Sequence, residues 1–295
     1  MSGGVERLAA VGARVGESPL WLPERGVWLW LDLQGRRVHR FDPATGTDAV
    51  IAEGFAEDLA CLARWTAEAV LLVSVRGFHR LTLADGRVSP LPCPIDLPEG
   101  TIFNDGKVDR QGALWIGSSD AGEAAPIGRL WRIAGGRVTE VAAGFTVSNG
   151  PAFSPDGRTA YFADTFGRRL LRFALDGSGR VEAQAVFAEV AAEAGYPDGM
   201  TVDRDGTLSV GHWDGARISR WTPDGRALPD LAMPARNVTA LAFGGAGMRQ
   251  AVVTTAILFP GQAAEETLPW NGDLLGFASD VPGLEEPALS PDWAG

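Results

Sequence analysis

Six short segments of the chain share one phase: ESPLW, DLACL, NDGKV, NGPAF, DGMTV and TALAF, each starting on a residue with a side-chain oxygen. The leading residues are Glu17, Asp58, Asn104, Asn149, Asp198 and Thr239. Singly, Asn149-Gly150, Asp198-Gly199 and Asn104-Asp105-Gly106 are ordinary turn chemistry, because Asn and Asp tolerate left-handed geometry and bond their own backbone. Glu17 resists that reading. Gly16-Glu17-Ser18-Pro19 is a poor turn signal, and a carboxylate beside an apolar strand needs a partner. An oxygen at the same phase in all six units points to a shared site. Carboxylates and amides, with no His or Cys at that phase, make a hard-cation site for one divalent metal ion. Calcium, magnesium or manganese suit it; zinc or iron held by oxygen alone stays open. The chemistry expected of such an ion is metal-assisted hydrolysis.

These oxygens need a scaffold that brings six distant stretches together. One pattern recurs six times: a Gly turn, a short apolar strand, a small polar loop, then a strand with basic and apolar residues alternating. The copies begin at Gly26, Ala69, Gly112, Gly157, Gly206 and Met248. That spacing of roughly 45 residues is the period of a four-stranded propeller blade. The strands are rich in Val, Leu, Trp and Phe and punctuated by D-G, N-G and P-D-G turns. An all-β fold, a single six-bladed β-propeller spanning 1–295, is predicted. Val5 to Val11 is placed to complete the last blade and remove its free edge, and a tail over about 281–295 is expected to pack loosely.

With 45% apolar and 21% charged residues, the chain has material for a large core without staples. A net charge of −11 disfavours nucleic acid and anionic membrane and suits a small-molecule partner. Nothing resembles a signal peptide or a membrane span, which predicts a cytoplasmic protein. Cys61 and Cys93 lie far apart and are expected to be plain thiols.

The same residues carry a resemblance. GESPLW at 16–21, NDGKVD at 104–109, SNGPAFSPDGRTAYFADT at 148–165 and YPDGMTVDRDG at 196–206, with Asn237 and Phe243 in NVT and FGG, resemble the gluconolactonase family. That family includes regucalcin (senescence marker protein) and luciferin-regenerating enzyme, and the likeness runs along nearly the whole chain. It implies lactone hydrolysis, metal ligands at Glu17, Asn149 and Asp198, Asn104 holding substrate or a water on the ion, and Asp198 as general base. Members acting on sugar lactones often carry Arg two residues before the N-D-G Asn, where this chain has Ile102. Some place Glu in the loop after the next strand, which aligns with Gly122, beside Glu123. Both differences point to a lactone less polar than a sugar lactone.

Substrate contacts are expected from Asn104, Ile102, Asp58, Glu123, His212 and Trp213. His212, in GHWDG, is the competing base; its blander reading is a loop imidazole bonded to neighbours. His39 and His79 are expected to be partly exposed blade residues, and Asp105, Asp164 and Thr165 to support the site or its turns. Two alternatives remain: a calcium-dependent phosphotriesterase-like hydrolase with Asn104 on the ion, or a non-enzymatic metal-binding propeller.

Overall fold

A computed structural model of the protein describes residues 4–293. Strand β1 (Glu6–Ala9) precedes five regular blades. The first holds β2 (Gly16–Leu22), β3 (Val27–Asp32), β4 (Arg37–Asp42) and β5 (Thr47–Glu53). The second holds β6 (Leu59–Arg64), β7 (Ala69–Ser74), β8 (Phe78–Thr82) and β9 (Val88–Leu91). In the third are β10 (Thr101–Val108), β11 (Leu114–Asp120), β12 (Gly128–Ala134) and β13 (Arg137–Phe145). The fourth comprises β14 (Ser148–Phe153), β15 (Thr159–Asp164), β16 (Arg169–Leu175) and β17 (Val181–Glu189). The fifth comprises β18 (Tyr196–Val202), β19 (Leu208–Trp213), β20 (Arg217–Trp221) and β21 (Ala227–Ala232). In the sixth, β22 (Asn237–Gly244), β23 (Gln250–Ala256) and β24 (Leu274–Ala278) are completed by β1, antiparallel to β24. Each sheet is four-stranded and antiparallel, so the protein is a six-bladed β-propeller closed by its N-terminal strand.

The burial pattern follows from the sequence. β6 and β7, LACLAR and AVLLVS, are buried at every position because both their faces meet other blades. The outer strands β5 and β17, TDAVIAE and VEAQAVFAE, are mostly exposed or half-buried. Tryptophans pin the blades: Trp30 Nε1 donates to Asp48 at 2.8 Å and Trp115 Nε1 to Asp109 at 2.9 Å. His39, expected to be partly exposed, is buried between these elements, stacked on Trp30 at 4.2 Å and bonded to Asp48 at 2.7 Å.

Over residues 281–293 the segment beyond Asp280 corrects the expectation of a loose tail, the last two residues of that expected tail lying outside the described residues. Leu289 and Trp293 are buried in the cluster that joins the second and third blades. Trp293 meets Phe78 at 6.0 Å and Trp65 at 6.3 Å between ring centroids. The two glutamates that gave the tail a solvated look have cations to meet. Glu285 pairs with Arg64 and accepts Arg110 at its carbonyl, while Glu286 receives Lys107 Nζ at 3.3 Å. Among the described residues no helix is long and apolar enough to cross a membrane.

Candidate active site

All six innermost strands break register at the shared phase. The shifts lie between Glu17 and Leu20, Leu59 and Cys61, Phe103 and Gly106, Asn149 and Ala152, Pro197 and Met200, and Val238 and Ala240. A bulge re-aims side chains that a regular strand would alternate between faces. The N-G and D-G pairs thus sit in bulges inside strands rather than in turns. Gly150 holds φ 77° there, and a Cβ on Gly199 would come within 2.6 Å of the Ala240 Cβ, so neither position takes a side chain without rearrangement.

Five of the six bulges open onto one cavity of about 470 Å³ at the mouth of the ring. Glu17, Asn149 and Asp198 line its floor, each no more than 7% exposed. Asn104, Ile102, Asp58, Glu123 and Trp213 also face it. Asp58 is held at the rim by Arg36 Nε at 2.8 Å.

Hydrogen bonds fix the amides. Asn104 Nδ2 donates to the Ser148 carbonyl at 2.7 Å and to Asn149 Oδ1 at 2.9 Å. Asn149 Nδ2 donates to Thr165 Oγ1, and Thr165 donates in turn to the Pro197 carbonyl, each at 2.9 Å. Asn149 therefore turns its oxygen, not its nitrogen, towards Asn104. Beneath the floor, Asp105 accepts Gly106 N at 2.7 Å and Gly150 N at 3.0 Å. Asp164 instead accepts Gly167 N at 3.1 Å and pairs with Arg169, tying its own turn.

The floor is electrostatically strained. Burial pushes the Glu17 carboxyl well up, and neighbouring Asp198 and Asp105 push it further. Asp198 is raised well above its ordinary value by burial and then by Asp105, while burial lifts Asp105 to about 6. The lining carries Glu17, Asp58, Glu123 and Asp198 and no Lys, Arg or His. Among the described residues no three His, Cys, Asp or Glu side chains form a cage; the donors here are two carboxylates and an oriented amide oxygen. Such a set fits a hard divalent cation, which would offset both raised carboxylates.

Two expected positions point elsewhere. His212 is fully buried in β19, not in a loop. Its Nδ1 donates to the Ala194 carbonyl at 2.9 Å and its Nε2 accepts from Ser219 Oγ at 2.7 Å, so both nitrogens are used. Burial, assisted by Arg217, lowers its pKa to about 4. Strand alternation explains the error: β19 runs through Trp213, so His212 and Trp213 take opposite faces. Thr239 shares the phase, yet its hydroxyl donates to the Gly16 carbonyl at 2.6 Å and latches the sixth blade to the first. Phe166, Tyr196 and Phe259 line the mouth without having been singled out in the sequence, since aromatics in a propeller read as core.

Residues 15–257 match the family model described as the SMP-30/Gluconolactonase/LRE-like region. The chain is 32% identical to 6-deoxy-6-sulfogluconolactonase of Pseudomonas putida over 94% of its own length and 95% of that protein. It is 33% identical to pentonolactonase XacC of Haloferax volcanii over 98% of each. Among solved structures, a calcium-binding regucalcin from Agrobacterium tumefaciens superposes with a TM-score of 0.89 at 27% identity, covering 98% of this chain and 97% of that one.

Proposed function

The chain belongs to the SMP-30/gluconolactonase/LRE-like family, and from that premise we propose that it is a divalent-metal-dependent lactonase, with Glu17, Asn149 and Asp198 holding the ion. The observation that carries this is the pair of buried, mutually repelling carboxylates, Glu17 and Asp198, in a lining without a cation. Family relatives named as lactonases supply the reaction, and the calcium-binding regucalcin supports calcium as one candidate ion. A bound divalent cation supplies Lewis-acid polarisation of the lactone carbonyl and offsets the oxyanion charge that develops on attack.

The protein's own groups do the rest. Asp198 accepts the proton of a water whose oxygen bonds to the carbonyl carbon. As the ring C–O bond breaks, the same carboxyl returns that proton to the departing ring oxygen, and a hydroxy acid leaves. Asn104, fixed through its Nδ2, offers Oδ1 to the water or to a substrate hydroxyl. Ile102 on the wall favours a substrate less polar than a sugar lactone.

Proton release from a lactone panel tests the proposal. Activity should vanish on chelation, return with one added cation, and be absent from a folded Asp198→Ala variant. Full turnover in that variant or in chelated protein refutes it, and faster turnover of a p-nitrophenyl phosphotriester than of any lactone would assign the site to phosphotriester hydrolysis instead.

A further inference from the structure

Four aromatic side chains form a continuous arc on one side of the mouth. Phe166 follows β15, Tyr196 opens β18, Trp213 ends β19 and Phe259 follows β23; all four line the cavity. Phe166 and Tyr196 are 5.6 Å apart between ring centroids, and Trp213 and Phe259 are 5.4 Å apart. Tyr196 and Trp213 face each other in the β18–β19 ladder, which joins the two pairs.

The arc is held in place. The Arg168 guanidinium lies 3.8 Å from the Tyr196 ring centroid and donates to the carbonyls of Ala192 and Gly195. At the other end, the Phe259 amide donates to Gln262 Oε1 at 2.9 Å, and Gln262 Nε2 donates to Asn237 at 2.7 Å. With the Tyr196 ring covered by Arg168 and the Phe259 backbone anchored, the arc loses less freedom when a ligand covers it. Phe166 nevertheless stays 42% exposed, leaving apolar surface for a ligand to bury. Among the described residues the first three blades add no aromatic ring to the lining; there Gln34, Asp58 and Glu123 stand among aliphatic side chains such as Leu33, Leu59 and Ile102. The rings thus sit on one side of the mouth and the polar side chains Gln34, Asp58 and Glu123 on the other, with Glu17 and Asp198 at the floor.

Resting on the lactonase reading, we propose that this arc is a subsite for an aryl or similarly bulky apolar substituent, so that the substrate is an amphipathic lactone. Its carbonyl lies over the floor, its apolar group on the rings, and any hydroxyl towards Gln34, Asp58 or Glu123.

Lactams resist opening, so their binding reads the arc apart from catalysis. Equilibrium dialysis of calcium-supplemented protein should use 5-phenyl-2-pyrrolidinone, 2-pyrrolidinone and glucono-δ-lactam. Covering a phenyl ring should favour the first over the second by about tenfold or more. The preference should fall to about threefold or less in Phe166→Ala/Phe259→Ala. Should the double variant fold poorly, Phe166→Ala alone, at a ring already half in water, should still halve the preference or more. Equal affinities for the two pyrrolidinones, tighter binding of glucono-δ-lactam, or an undiminished preference in the variants overturns the inference. Phenyl preference without detectable opening of any lactone would leave the arc standing and remove the catalytic reading.

Discussion

Thr165 receives the side-chain amide hydrogen of Asn149 and passes its own hydroxyl hydrogen to the Pro197 carbonyl, both at 2.9 Å. One hydroxyl from the fourth blade thereby orients the amide oxygen of Asn149 and ties it to the backbone next to Asp198. Partners that orient ligating groups typically contribute 10–100-fold to metal affinity.

Thr165→Val should therefore weaken cation binding by about 10–100-fold with little change in melting temperature, while Thr165→Ser restores it. Calorimetric titration with calcium checks this. Unchanged affinity in the valine variant would free Asn149 from the role given to it.

Metal-free protein should lose stability as pH rises. Glu17, Asp198 and Asp105 all hold protons more tightly in the fold than in the unfolded chain, and Asp105 titrates at about 6. The stability they contribute is complete below the ordinary carboxylate range near ~4 and is lost as pH climbs through the raised folded values. A cation competes with those protons, so the rise in melting temperature on adding calcium should grow between about pH 5 and 8. Scanning calorimetry with chelator or calcium reads both trends; a calcium effect that shrinks with pH contradicts them.

His212→Ala should destabilise the protein by about 2–4 kcal/mol, through a cavity and the loss of partners for Ala194 O and Ser219 Oγ. Turnover per folded molecule should persist. Acid sensitivity should also ease: the histidine titrates at about 4 in the fold, so the stability it contributes is present above ~6.5 and is lost as pH falls through the folded value. An inactive variant of wild-type stability would return His212 to the site.

Trp293→Ala should cost about 3–5 kcal/mol, because the ring is buried against Phe78 and Trp65. Denaturant unfolding measures it, and a cost under about 1 kcal/mol would mean that the tail is not part of the core.

The propeller was legible in the sequence because its period and strand chemistry repeat in every blade. The convergence of Glu17, Asn149 and Asp198 was legible because the repeat places one phase at one radius. Phase does not give direction: Thr239 occupies it and turns its hydroxyl to Gly16. Nor does a motif such as GHWDG reveal where the strand stops, and that end point decided between His212 and Trp213. Tyr196 and Phe166 lacked any signal separating a mouth aromatic from a core one. Glu285 and Glu286 looked solvated because their partners Arg64 and Lys107 lie some 180–220 positions earlier.

A second, separate void of about 20 Å³ is walled in part by Arg64, Lys107, Glu286 and Pro287, with Lys107 reaching the Met200 carbonyl at 2.7 Å. That is room for about one water molecule. Asp105 lines that void while accepting from Gly106 and Gly150, so the carboxyl beneath the floor borders a niche too small for any substrate to enter.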